Sequence, residues 1–357
     1  MLLKLEPRAQ SSVLMGYLSP LIAVLLTLLG GLILFSALGK DPLEGFKIFF
    51  FNPLSDLYGF SELLLKATPL MLIAMGLAVG FRANVWNIGA EGQFIMGSVA
   101  ATAVALFFYE SQSMLIVPAM LIAGALGGML WSAIPAFLKT QFNTNEILVS
   151  LMLVYIAQLV VSWLVHGPMI DPNGFGFPQS RMFEDSALLP ILIEGTRLNA
   201  AFLFALAALL VLYVFMNRSF MGFQMQVAGQ AQDAARYAGF SAKGMIWIGL
   251  LCGGGMSGIA GMSEVGGPMG QLTEHVSNNY GFAAIIVAFV GRLNPIGILI
   301  ASLLMALLYL GGEQAQQYMN LPSSISKVFQ GMLLMFLLGA DVLINYRLRW
   351  NVKKLPG

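Results

Sequence analysis

Long apolar runs, each closed by a short polar or glycine- and proline-bearing stretch, recur along the whole chain. A hydrocarbon core about 30 Å thick needs roughly 20 apolar residues per helix. That ruler predicts ten spans, at 14–38, 61–81, 88–108, 114–138, 145–165, 198–216, 244–264, 281–292, 295–312 and 324–345. The eighth, GFAAIIVAFVGR, has 12 residues. At about 1.5 Å per residue it rises about 18 Å, so the pattern predicts a half-helix buried among neighbours, where irregular backbone is tolerated at depth. The first span is too long, and lacks the small-residue cleavage site, to be a removed signal peptide. The expected fold is an all-α polytopic membrane protein with about ten transmembrane helices, residues 1–357 forming a single transmembrane domain.

Composition sharpens this picture. The chain is 58% hydrophobic and 10% charged, against about half apolar and a quarter charged in soluble domains, and its mean hydropathy is +0.81. A net charge of +1 gives no reason to expect nucleic acid. The single cysteine, Cys252, excludes an intramolecular disulfide and any Cys-based metal cluster. His166 and His275 are the two histidines and are expected in loops outside the spans.

Basic residues in short loops set orientation. With the N-terminus cytoplasmic, the inner segments hold Lys4, Arg8, Arg82, Lys139, Arg218, Arg236, Lys243, Arg292, Arg347, Arg349, Lys353 and Lys354. The outer segments hold Lys40, Lys47, Arg181 and Arg197, while Lys66 and Lys327 fall inside spans near their outer ends and are expected to snorkel. Both termini are therefore expected to be cytoplasmic. Two loops are long, 166–197 outside and 217–243 inside.

Several chemistries find no support. A phosphate-cradling GxxxxGK[ST] loop is absent, Gly39-Lys40 being the nearest approach. HExxH, GxSxG and paired intramembrane carboxylates are also missing, which disfavours a membrane hydrolase. Ion-coupled carriers usually carry several mid-span ionisable groups; here Glu91 alone sits clearly within a span. No cofactor or metal is expected on the chain.

Three segments stand out. Residues 81–98, FRANVWNIGAEGQFIMGS, place Asn84, Asn87, Gly89, Glu91 and Gly92 around a span start. Small residues permit a break or close contact, and Asn side chains can satisfy freed backbone groups. Glu91 is either a carboxylate solvated near the interface, or capping its helix start, or part of a gate. Residues 229–239, GQAQDAARYAG, form an alanine-rich helix between two glycines, with Asp233 and Arg236 on one face. Its apolar side is too small to hold a membrane surface and suits a groove on a partner protein. The stretch 253–267, GGGMSGIAGMSEVGG, serves tight packing or a flexible outer gate. Asp341 is expected to pair with Arg347 at the surface.

NVWNIGAEGQF (84–94), NTNEILVSLMLVYIA (143–157), GQAQDAARYAG (229–239) and GRLNPIGILIAS (291–302) resemble the permease subunits of bacterial ABC importers, nearest the sugar and nucleoside branch related to ribose and branched-chain amino acid permeases. The resemblance covers about 60–340 and implies a type II importer permease fold in the bacterial inner membrane. It further implies a cytosolic ATPase that binds ATP, an external substrate-binding protein meeting segments 166–197 and 264–280, and a second permease chain, different or identical. On this likeness the loop 217–243 is the coupling loop, and Gly229, Asp233, Ala234, Ala235, Arg236 and Gly239 dock on the ATPase; Gln230 stands where relatives often have Asn. The expected function is import of a nucleoside or simple sugar. Branched-chain amino acid import, and a stand-alone channel or secondary carrier, are the alternatives.

Overall fold

Nine helices among the described residues are long and apolar enough to cross a bilayer, and one further apolar helix, Tyr280–Val290, is short. The structure is a computed structural model describing residues 2–8 and 12–351; Lys353 and Lys354 of the orientation argument lie outside them. In chain order the elements are β1 (Leu2–Pro7), α1 (Val13–Ala37), α2 (Pro42–Phe46), α3 (Leu57–Arg82), α4 (Ala90–Phe107), α5 (Ile116–Phe142), α6 (Glu146–His166), α7 (Ala201–Arg218), α8 (Phe220–Gln230), α9 (Gln232–Tyr237), α10 (Ala242–Glu264), α11 (Tyr280–Val290), α12 (Pro295–Met319), α13 (Ile325–Asn345) and β2 (Tyr346–Asn351).

The ten expected spans are all present, with ends displaced by about one helical turn at most, except that α12 runs on to Met319. Local chemistry explains the starts. Ser12, Asp56, Asn145 and Ser241 each turn a side-chain oxygen onto an amide of the first helical turn, which satisfies a donor with no partner inside the helix. Asn143, at φ 52°, ends α5 in the left-handed conformation. His166 is the last residue of α6 rather than a loop residue.

The chain divides into two units, Met1–Ser55 with Leu307–Gly357, and Asp56–Ala306. In the first, α1 lies against α13. Gly31 leaves room for the Phe329 ring, which stacks on Phe49 at 4.5 Å and meets Phe35 at 5.9 Å. Strands β1 and β2 pair antiparallel, from Leu2 with Asn351 to Pro7 with Tyr346. The expected Asp341–Arg347 pair is replaced by two others. Asp341 accepts the Ser19 hydroxyl at 2.7 Å, and Arg347 turns to Glu6 at 3.2 Å. Strand pairing brings Glu6 directly opposite Arg347.

In the second unit α10 lies against α3, α4 and α5. Its glycines make this possible. A Cβ on Gly258 would strike the Gly124 carbonyl of α5, one on Gly97 of α4 would strike Gly258, and one on Gly128 would strike the Gly254 carbonyl. Close backbone approach is how membrane helices gain packing when hydrophobicity gives no drive for association. Most of 253–267 therefore serves packing, with a break at its end: Val265–Met269 forms a wide turn in which Gly267 leaves helical geometry (φ −114°, ψ −106°).

The long segment before α7 is stitched to the chain that follows α10. Phe183 N donates to Gly270 O at 2.7 Å, Leu189 N to Gly266 O at 2.7 Å and Ser180 N to Leu272 O at 2.8 Å. Glu91 is not alone within the spans. Glu62 of α3 is also buried and Glu264 closes α10 half-buried. Glu62 is reached by Arg197, whose Nε and Nη2 lie 2.9 and 2.5 Å from its two oxygens. That hydrogen bond holds the Arg197 guanidinium above its ordinary pKa.

Candidate functional site

Helix α3 ends at Arg82, and α4 begins only at Ala90. Between them Asn84 takes φ 58°, a left-handed conformation that asparagine adopts more readily than most residues, and the chain then runs extended. Backbone groups freed inside a membrane protein need partners, and the sequence supplies them. Asn87 and Gln93 bond reciprocally, Asn87 Nδ2 donating to Gln93 Oε1 at 2.9 Å and Gln93 Nε2 to Asn87 Oδ1 at 3.0 Å. Asn87 Oδ1 also accepts from Gly89 N at 3.1 Å, and Ser150 Oγ of α6 from Ile88 N at 3.3 Å. Both amides are 1% exposed. Gly253 of α10 has no side chain to displace Asn87, whose Nδ2 stands 2.7 Å from where a Cβ would be.

The same stretch holds the half-helix α11 near both ends. Near its start, Glu91 Oε2 accepts from Gly281 N at 2.7 Å, Gly281 packs directly on the Glu91 backbone, and the Phe94 and Tyr280 rings meet at 6.1 Å. At the other end Phe289 stacks on Phe81 at 5.3 Å and on Trp86 at 5.8 Å. Trp86 is fixed in turn by its indole N–H on Asn84 Oδ1 at 2.9 Å. Glu91 is 1% exposed, so it is neither solvated nor bound to its own helix start alone. It caps α11, where a negative group meets the positive end of the helix dipole.

Residues 217–243 fold against the Arg82 end of α3. Arg82 Nη1 donates to Met216 O at 3.3 Å. The expected single helix over 229–239 is two pieces. α8 stops at Gln230, Ala231 turns extended (φ −148°, ψ 83°), and α9 follows. Gly229 belongs to α8 and fits directly against the Arg82 carbonyl, with no room for a Cβ. Gly239, at φ 78°, makes the turn after α9. Ala235 is buried, whereas Asp233, Ala234 and Arg236 are exposed and Tyr237 is 96% exposed. A cleft of about 440 Å³ lies beneath α9, lined by Asn84, Trp86, Gly229, Ala235 and Arg236 among others, with the Lys139–Glu146 pair (3.0 Å) in its wall.

Of the residues marked in the sequence, Asn84, Asn87, Gly89 and Glu91 thus form one buried assembly. Gly92 serves packing: it faces Val154 and Leu153 of α6 and the Trp131 indole, which donates to Leu153 O at 3.2 Å. Gln93, Ser150 and Gly281 do as much as the marked residues. Gln93 lies within the marked segment, but its partner Asn87 is fixed only by the fold. Among the described residues no three His, Cys, Asp or Glu side chains gather as a metal site.

Broken helices and half-helices within a polytopic helical protein are features that membrane transport proteins use. The comparison with known families agrees, matching residues 59–338 to the branched-chain amino acid transport system / permease component family, and the chain belongs to that family. It is 32% identical to the glucose ABC transporter permease protein of Haloferax volcanii, over 97% of this chain and 93% of that one. It is 27% identical to the guanosine ABC transporter permease protein of Bacillus subtilis, over 95% and 96%. To the nucleoside ABC transporter permease protein of Lactococcus lactis it is 28% identical, over 90% of each. The chain is thus a permease component of an ABC transport system, a multi-pass membrane protein.

Proposed function

We propose that this permease imports a nucleoside or a simple sugar, delivered by an external binding protein and driven by ATP bound to a separate cytosolic ATPase. The observation that carries the reading is the grip of residues 217–243. α9 presents Asp233, Ala234, Arg236 and Tyr237 outward, while Gly229 bears on the α3–α4 junction that in turn holds α11. A partner that moves α9 would therefore move the broken helix and the half-helix with it. Names of near full-length relatives, for glucose, guanosine and nucleosides, favour polar hydroxylated solutes over branched-chain amino acids.

On this reading 217–243 is cytoplasmic, both termini are cytoplasmic, and the chain resides in the bacterial inner membrane. The 166–197 and 264–280 segments face the binding protein, and a second permease chain, different or identical, completes the pathway. Gentle purification of the tagged chain from native membranes, followed by mass spectrometry, tests the assembly. Recovery of a P-loop ATPase, a permease partner and a binding protein is expected. Recovery of the chain alone, under conditions that hold known importers together, would favour a channel or secondary carrier instead.

A further inference from the structure

We infer that Gln158 and Tyr155 of α6 meet the transported solute midway across the membrane and select for its hydroxyl groups; this rests on the proposed import of a nucleoside or simple sugar. The sequence divides α6 into three stripes at helical spacing. Val154, Ala157 and Val161 are buried on the side packed against α4, where Gly92 fits directly against the Val154 backbone. Met152, Ile156 and Leu159 form a second stripe, exposed and apolar, which suits lipid or a neighbouring helix. Between the two lie Tyr155, Gln158 and Ser162, all polar.

Gln158 is the outlier among them. It lies 12 residues from the start of α6 and 8 from its end at His166, about 18 and 12 Å by helical rise, well inside a hydrocarbon core of about 30 Å. It is exposed and makes no hydrogen bond with another described residue. An unmatched amide in hydrocarbon is costly, and a polar side chain at this depth marks a solute path by default. The stripe of Met152, Ile156 and Leu159 already offers an apolar face, so lipid contact does not call for this one. One turn further on, Ser162 Oγ donates to Glu274 Oε1 at 2.8 Å, in the segment that leads into α11 at Tyr280. The polar stripe therefore lies on the side from which the half-helix starts, and transporter sites are commonly built beside such discontinuous helices. A pathway between two permease chains is an open flank in either chain alone. An amide donates and accepts at once, which matches paired hydroxyls or the edge of a base. Tyr155, 55% exposed and three residues before Gln158, adds a ring face on which a sugar or base can lie. No charged Asp, Glu, Lys or Arg follows Glu146 in α6, so this contact selects by hydrogen bond and shape.

The assembled importer in proteoliposomes is given labelled guanosine and D-glucose, each with a set of singly deoxygenated analogues. Gln158→Leu and Tyr155→Leu are compared with wild type. The binding protein is the same throughout, so a changed preference belongs to the permease. The expected result is a shift of about tenfold in the uptake of at least one analogue relative to its parent in Gln158→Leu, with a smaller shift in Tyr155→Leu. Equal loss for parent and analogues would mean that Gln158 bonds to the second permease chain. Unchanged uptake of all would mean that it faces lipid. Either result overturns the inference and leaves the proposed function standing, whereas a wild type that takes up neither set overturns both. If Gln158→Leu does not assemble, Gln158→Ser, small and polar, is judged by the same ratios; failure of both to assemble would place Gln158 in a contact between subunits and overturn the inference.

Discussion

The Glu91 carboxylate accepts the backbone N–H of Gly281 at 2.7 Å, joining positions 190 residues apart. It ties the first turn of α4 to the first turn of the half-helix α11. Replacement by alanine leaves a buried helix end uncapped, a loss of about 1–3 kcal/mol. Glu91→Ala should lower the melting temperature of the purified permease by several degrees and cut uptake at least tenfold. Glu91→Gln, which keeps an acceptor, should retain most of both. Thermal unfolding with matched uptake assays tests the pair.

Gly229 is placed where only a glycine fits, against the Arg82 carbonyl. Adding a methyl group forces α8 away from α3 without touching the exposed face of α9. Gly229→Ala should keep ATPase association, measured by co-purification, while uptake falls by an order of magnitude or more. Loss of association would show that the backbone contact shapes α9 itself.

The exposed side chains of α9 should behave in the opposite way. Arg236→Glu reverses the charge on a solvent-facing residue, and Tyr237→Ala removes an aromatic that is 96% exposed. Each is expected to insert normally and to lose both ATPase co-purification and uptake. Undiminished co-purification of either variant would remove it from the docking surface.

Glu62 is 5% exposed and depends on Arg197 for its compensation. Breaking one partner of a buried pair costs about 3–5 kcal/mol; because the Arg197 side chain is 54% exposed, roughly 1–3 kcal/mol is expected here. Arg197→Met should destabilise the permease, and the double replacement with Glu62→Met should recover most of the loss. The raised guanidinium pKa confers stability that disappears only as pH climbs past the ordinary arginine range. Alkali up to about pH 10 should therefore leave the Arg197 contribution intact.

Gly258 touches both α4 and α5 through backbone atoms. Overpacking typically costs about 1–3 kcal/mol, and backbones can yield less than side chains. Gly258→Val should reduce accumulation in membranes and increase protease sensitivity, whereas valine at the uncrowded Gly331 or Gly339 should be tolerated.

The spans are legible because a bilayer demands a fixed apolar length, and the half-helix is legible because it falls short of it. Which helices are enclosed is not written in hydropathy. α3 and α13 average 1.9 and 1.8, yet 89% and 28% of their most apolar stretch is buried, since lipid and protein interior look alike to an apolar side chain. The broken start of α4 shows itself through Asn and Gly inside an apolar run. The pairing of Glu62 with Arg197 does not, because nothing local links residues 135 positions apart. The docking residues lie between two glycines, but the helix breaks at Ala231, and Tyr237, 96% exposed, carries no periodic signal.

The packing of α1 on α13, closed by Ser19 and Asp341, joins positions 322 residues apart, so α1 leaves the ribosome well before its partner. Synthesis at about 5–20 residues per second puts roughly 15–60 s between them. During that interval α1 must wait in the bilayer with its Ser19 and Thr27 side chains bonded locally, as Thr27 already is to Ala23 O at 2.7 Å. Helix α1 is thus exposed to quality-control proteases and foreign helices throughout that interval, and lesions in α13 should be sensed as an orphaned α1.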